Sequence, residues 1–449
     1  MDKKNTPSNL VIFSLLFFCL LELWLLGYGR NQFGIMWSPV IILISGLIIG
    51  IGFLNFFNVK EIKLPQHKFY GKRLGAIFLA TFFGVWKCGD LLRTVIRDFP
   101  FDFHKPEGSD GIPQIAILVE RFLNGVFPYS LITEWPNLGT YLFPTYLPLT
   151  WMPYIVPEKL GFDYRWMGFA ILIIGFLYFF YKVIPWNRSW GINAVLLFLP
   201  FLFLYIFQKN DTESIFRFSV ETMIAGYYLI LATALFSKSN LVRGVALLLC
   251  VLSRYSVVLW VPLFFFVIFF KEKKTNLFQI GGWLALGILG LYVIPFLAQD
   301  PTIFKQGYDY HTKAAEITFV LLPWQAEGEL PAVVSNGFGM AIYFDQFIDG
   351  TAADKLWVLK NTHLGLLCLT VLISMIIFYK IKDKMDYRIF LLGTLKVYLV
   401  IFYNFIQIPF GYLFLTMVFI SLPMMALLLG QVKLKGESEN VLLNKSKVD

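Results

Sequence analysis

Residues 10–28 read LVIFSLLFFCLLELWLLGY, with Glu22 as the single charged side chain. A run of this length and apolarity calls for a hydrocarbon solvent, because about 20 residues at ~1.5 Å each cross ~30 Å of bilayer core. Comparable runs recur near 35–57, 74–96, 166–184, 192–208, 219–237, 277–298, 357–379, 389–407 and 412–429. They define an all-α, polytopic transmembrane protein. The composition agrees. Of 449 residues, 57% are hydrophobic and only 15% charged, where soluble domains carry about a quarter charged. A membrane β-barrel is excluded, since its strands alternate polar and apolar residues and leave no unbroken runs.

The first run follows Lys3 and Lys4 in the manner of a signal peptide. It lacks a small-x-small cleavage site and a second run follows closely, so it is expected to stay as the first helix. Cys19, Cys88, Cys250 and Cys368 each stand alone in an apolar run. They read as small core residues, and no disulfide is expected.

The net charge of +9 is not a nucleic-acid footprint, because it is confined to short loops. Lys60, Lys63, Lys68, Lys72 and Arg73 form one cluster, Lys271, Lys273 and Lys274 a second, and Lys380, Lys382, Lys384 and Arg388 a third. Such clusters mark the cytoplasmic side. The long polar stretches are acidic instead: 97–140 holds three Lys/Arg against six Asp/Glu, and 299–356 three against eight. Both are expected outside, with both termini in the cytoplasm.

Arg254 lies near the middle of 242–270, a stretch long for one helix and short for two. A charge at the centre of a lipid-facing helix costs at least ~2.5–3.5 kcal/mol. A hairpin of two short helices with Arg254 at its outer tip avoids that cost. With this hairpin, about 12 membrane-crossing segments are expected. In 141–157, Pro144, Pro148, Pro153 and Pro157 interrupt an aromatic stretch. Each interior proline costs a helix ~3 kcal/mol, so the segment reads as re-entrant or interfacial. A broken span is the alternative. The chain is then one integral membrane domain over 1–449: three helices in 1–96, an outer loop with an interfacial helix in 97–163, central helices in 164–298, a second outer loop in 299–356, three helices in 357–430 and a cytoplasmic tail in 431–449.

In the first outer loop, Ile112, Ile115, Val119, Phe122 and Val126 recur at helical spacing, with Gln114, Arg121 and Asn124 on the other side. This predicts an amphipathic helix lying on the membrane surface. Asn124-Gly125 ends it and Pro128 prevents its resumption. Asp110 precedes it. Taken alone, Asp110 reads as an N-cap contributing ~1 kcal/mol, with a catalytic carboxylate as the second reading.

The stretch Ser109-Asp110, the helix through Arg121-Phe122-Leu123-Asn124-Gly125, Pro128-Tyr129 and the Pro-rich aromatic run 141–157 together resemble the GT-C class of integral-membrane glycosyltransferases. The likeness is to the mannosyltransferase-like glycosyltransferase family 87 and covers about residues 98–170. The resemblance implies a hexosyl- or pentosyltransferase using a polyprenyl-phosphate-linked sugar donor on the outer face of the membrane. Its acceptor would be a glycan, lipid or protein. It also implies a bacterial cytoplasmic (inner) membrane, and it makes Asp110 the catalytic base, with Asp102 as the alternative base.

An acceptor hydroxyl needs a carboxylate within hydrogen-bond reach, worth ~10²–10⁴ in rate. The lipid-phosphate leaving group needs a cation instead. Arg254 is the first candidate, because a guanidinium can grip phosphate bidentately; snorkelling to headgroups is its other reading. His311 and Lys313, in Tyr-Asp-Tyr-His-Thr-Lys, come next. Arg121, Tyr129, Trp135, Tyr146 and Trp151 are candidates to line the substrate site, and Trp135, Trp151 and Trp324 could stack on sugar rings. No cofactor is expected. The loop lacks an Asp-Glu or Asp-x-Asp pair, and no His pair has zinc spacing. No Walker loop or Gly-rich dinucleotide fingerprint is present. The rival readings are a lipid-linked sugar or polysaccharide transporter or flippase, and an outer-face polymerase or ligase. A transporter would be expected to show paired repeats and charged or broken helices at the midplane. Here few charges lie in the spans, Glu22, Glu221 and Lys396 being the notable ones.

The charge asymmetry predicts that a cysteine placed at Lys105 in intact cells reacts with an impermeant thiol reagent while one at Lys273 does not. Labelling at Lys273 ahead of Lys105 overturns the sidedness.

Overall fold

The computed structural model describes residues 9–57, 71–100, 111–133, 142–186, 189–209, 216, 219–321, 325–326, 329–335 and 337–431. The described residues are helical, with no strand among them beyond one isolated bridge between Ile132 and Leu142. In chain order the helices are α1 (Asn9–Trp24), α2 (Arg30–Phe56), α3 (Gly71–Asp98), α4 (Gly111–Leu123), α5 (Pro148–Trp151), α6 (Ile155–Leu160), α7 (Arg165–Lys182), α8 (Trp190–Lys209) and α9 (Glu221–Ala234). They continue as α10 (Asn240–Val251), α11 (Val261–Lys271), α12 (Lys274–Ile288), α13 (Ile303–Ile317), α14 (Ala332–Ser335), α15 (Ala341–Phe347), α16 (Ala352–Ile381), α17 (Tyr387–Asn404) and α18 (Leu415–Leu429).

Eight helical stretches among the described residues are long and apolar enough to cross a membrane: Asn9–Tyr28, Gln32–Phe56, Gly71–Asp98, Arg165–Lys182, Trp190–Lys209, Lys274–Leu297, Ala352–Ile381 and Gly411–Leu429. This is a multi-pass membrane protein. These are fewer than the expected number of about 12: the two helices of the 242–270 stretch, Asn240–Val251 and Val261–Lys271, are too short to cross, and two further runs differ. The run 219–237 becomes α9, whose 14 residues reach only about 21 Å at the helical rise. The run 389–407 becomes α17, which carries Arg388 and Lys396 and lies mostly buried. Both are inner helices. α9 packs on α7, α10 and α18, and α17 packs on α2, α16 and α18.

Lipid and protein interior are equally apolar, so burial of hydrocarbon does little to order the bundle; close backbone approach and polar pairing do more. Gly226 of α9 shows the first. A Cβ there would stand 3.0 Å from the Leu172 Cα and 3.1 Å from the Ile171 carbonyl of α7. In the innermost span, Gly411–Leu429, 89% of the window is buried, against 17% in Lys274–Leu297. The outer helices accordingly expose Phe78, Phe82 and Trp86 of α3 and Trp357, Leu372 and Ile376 of α16, the faces a bilayer covers.

Polar pairing ties the first helix to the last two. Lys396 Nζ donates to both carboxylate oxygens of Glu22 at 2.7 Å and to the Met417 carbonyl at 2.7 Å. Ser421 Oγ adds a hydrogen bond to Glu22 at 3.2 Å. Neither charged side chain has any exposure. All four cysteines are free, as expected, but Cys368 lies on the exposed face of α16 rather than in the core.

The stretch 242–270 is the expected hairpin, α10 and α11 joined by a turn in which Arg254 is extended (φ −148°, ψ 139°). The Pro-rich segment folds as α5, a 3-10 turn over Met152–Tyr154, and α6. Pro148, Pro153 and Pro157 each fall in one of these short pieces, Pro144 lies in the non-helical chain before them, and no continuous crossing helix forms.

Removing either partner of Glu22–Lys396 leaves a buried charge uncompensated. Glu22→Gln or Lys396→Met alone should cost ~3–5 kcal/mol. Glu22→Gln combined with Lys396→Met should recover most of that loss. Denaturant unfolding of the three variants in one detergent checks the cycle. Additive losses would remove the pair from the account.

Candidate functional site

Asp110, Asp102, Trp135 and Trp324 lie outside the described residues; the described chain resumes at Gly111, the first residue of α4. The expected surface helix is present but not as a surface raft. Gln114 and Arg121, assigned to its solvent side, are buried together with Ile112, Ile115, Leu118 and Val119. The physical reason is what Arg121 does. Its guanidinium donates to the carbonyls of Pro128 (3.2 Å), Ser130 (2.7 Å) and Leu131 (2.9 Å), folding the following turn back over the helix. Helix termination is as expected. Gly125 takes φ 71°, while Val126 N–H bonds the Arg121 carbonyl (2.8 Å) and Gly125 N–H that of Phe122 (3.2 Å), the paired bonds of a Schellman ending.

Tyr129, Tyr146 and Trp151 come together. The Tyr129 hydroxyl accepts from Trp151 Nε1 (3.0 Å) and donates to the Tyr146 carbonyl (2.9 Å). Trp151 is wholly buried, with Phe122, Phe296 and Tyr129 rings around it at centroid distances of 5.5, 5.8 and 6.4 Å. Its role here is packing, and it presents no open face to a sugar. Tyr146 is half-buried.

α5 joins this cluster to the hairpin tip. Leu149 N–H donates to the Leu252 carbonyl (2.9 Å), and Thr150 Oγ1 to the Ser253 carbonyl (2.7 Å). The next residue is Arg254. Its side chain is 28% exposed and forms an ion pair with Glu221, which is fully buried at the first position of α9. No hydrogen bond reaches the Glu221 carboxylate from any other described residue, so this guanidinium is what neutralises it. Beneath the tip, Ser256 Oγ meets the hydroxyls of Tyr228 (2.6 Å) and Tyr403 (3.2 Å).

From α13, His311 faces the same region. Burial holds its imidazole below the ordinary value of 6.5, and the positive charges of Lys360 and Arg254 push in the same direction. His311 is therefore within electrostatic reach of both Lys360 and Arg254. Lys360 donates to Thr312 Oγ1 at 2.7 Å and lies 5.0 Å from the centre of the Tyr308 ring. Lys313, on the same helix, is exposed. Sequence reasoning missed Lys360, although a lysine eight residues into a long apolar helix is itself a signal. It flagged Glu221 without its partner. Among the described residues no group of three His, Cys, Asp or Glu side chains is placed to hold a metal ion.

Arg254, paired with Glu221 but 28% exposed, and Lys360 are the two cations that His311 senses, and a partly exposed guanidinium is suited to gripping a phosphate. Comparison with known protein families, curated proteins and solved structures finds no match to this chain.

Because His311 is held below its ordinary value, the unfolded chain binds a proton first as the pH falls. The contribution of His311 to stability is therefore complete above pH ~6.5 and declines below it. Unfolding temperatures between about pH 7 and about pH 5 should fall less for His311→Gln than for the parent. Equal falls would place His311 in water.

Proposed function

We propose that the protein is a GT-C-like glycosyltransferase that moves a sugar from a polyprenyl-phosphate donor to an acceptor hydroxyl on the outer face of the membrane. The observation that carries the reading is the link between its two halves. α4, which follows Asp110 directly, packs on α5, and α5 is hydrogen-bonded to the two residues before Arg254.

In this reading Asp110 accepts the acceptor's proton as the hydroxyl oxygen bonds to the anomeric carbon of the sugar. The bond from that carbon to the phosphate oxygen breaks, and Arg254, with His311 near it, receives the charge on the departing lipid phosphate. The donor enters from the bilayer and the acceptor from outside. The rival transporter reading draws no support from Glu22 and Lys396, which are sealed in the core and satisfy each other.

The test supplies purified protein with a panel of polyprenyl-phosphate hexoses and pentoses and follows donor consumption. Asp110→Asn retains the capping capacity of the side chain, so a base predicts loss of ~10²-fold or more at normal expression. Arg254→Lys keeps a charge opposite Glu221 but loses the planar fork, and should raise the donor KM. Arg254→Ala is the poorer probe, because it strands a buried carboxylate and costs stability. An Asn variant within a few-fold of the parent overturns the assignment of Asp110, and a panel with no donor consumed overturns the reading itself.

A further inference from the structure

At the opposite end of α10 from Arg254, a groove of about 450 Å³ opens between α10 and α12, lined by Asn240, Leu241, Gln279, Gly282, Trp283 and Leu286. Its lower wall is apolar and its rim is polar. A hydrogen-bond network fixes the rim. Arg243 binds Glu272 (2.9 Å) and Asn240 Oδ1 (2.5 Å), and Asn240 Nδ2 donates to Asn276 (3.0 Å) and to Gln279 Oε1 (2.7 Å). Gln279, whose oxygen accepts from Asn240, keeps its amide N–H groups as donors for a ligand in the groove.

The charge balance around this rim is positive. Glu272 is committed to Arg243, Asn276 and Tyr387, whose hydroxyl lies 2.7 Å away. Those bonds outweigh the effect of burial and hold its carboxyl below the usual range. Lys238, Lys273 and Lys274 flank the two helix starts, exposed and without a carboxylate partner among the described residues. The apolar wall belongs to the span Lys274–Leu297, of which 83% of the window (100% less the buried 17%) is not buried in the protein. Leu241 and Trp283 are each 45% exposed on it. Bilayer covers such a face.

We propose that this groove binds one anionic glycerophospholipid, its phosphate against Gln279 and the three lysines and an acyl chain along Trp283 and Leu286. The occupant must offer hydrocarbon and negative charge together, at the depth where a span meets its basic flank. A phospholipid of the surrounding membrane does so. Gly282 keeps the groove open, since a Cβ there meets nothing within 4 Å.

Native mass spectrometry of the full chain, released from mild detergent and titrated separately with phosphatidylglycerol and phosphatidylcholine, tests the site without reference to enzymatic activity. The parent should retain one phosphatidylglycerol in preference to phosphatidylcholine. Gly282→Leu fills the groove and should abolish that retention, with an unfolding temperature in lipid-free detergent equal to or above the parent's. Lys273→Gln with Lys274→Gln should weaken phosphatidylglycerol retention by about tenfold and leave phosphatidylcholine unchanged. These lysines are exposed, so this variant decides the matter even if Gly282→Leu misfolds. Undiminished retention in either folded variant, equal retention of the two lipids, or a dimer mass that displaces the lipid each overturns the proposal.

Discussion

The ion pair between Arg254 and Glu221 is the constraint to which the surrounding helices α4, α5, α9, α10 and α11 answer. A carboxylate with no exposure costs several kcal/mol unless it is neutralised in place. Glu221 gains a little from the start of α9, where the helix dipole favours negative charge, but the guanidinium supplies most of what it needs. The chain must therefore turn at Arg254, and the stretch around it folds as two short helices instead of one long one. Once the turn is fixed, the carbonyls of Leu252 and Ser253 are free to receive α5. Through α5 they hold the aromatic cluster of Tyr129 and Trp151, and with it α4.

A second pair, Glu22–Lys396, does the equivalent work inside the bundle. It joins residues 374 positions apart and leaves neither charge any exposure. Together the two pairs account for the four charges, Glu22, Glu221, Arg254 and Lys396, that fall within the apolar runs. Charges in the bundle interior occur where helices are wrapped by other helices. The periphery, in α3, α12 and α16, is left to hydrocarbon.

That arrangement explains which parts of the fold were legible in the sequence. Lipid-facing helices must be long and continuous, so their ends could be read from hydropathy alone. α9 and α17 could not be told from spans, because apolar content does not distinguish a helix facing lipid from one facing protein. The hairpin was legible through the cost of Arg254 at mid-helix. Its partner was not, since no local spacing connects Glu221 to it. The surface placement of α4 failed for a similar reason: spacing put Arg121 on a polar face, but the three carbonyls it binds belong to the loop that follows. Lys360 comes within reach of His311 only because α16 passes beside α13.

The pairing also sets the charge that this region offers a ligand. Arg254 and Glu221 cancel, and His311, held below its ordinary value, is neutral near pH 7. Lys360, the remaining cation, is itself faced by the Glu316 carboxylate, so little uncompensated charge is left there. A sugar joined to a lipid through a phosphodiester carries a single negative charge. On the proposed reading, breaking the sugar–phosphate bond releases a monoester that can carry a second. On that reading the added negative charge would raise the proton affinity of an imidazole beside it. The burial that holds His311 below its ordinary value also leaves charge interactions at that position less screened than in water.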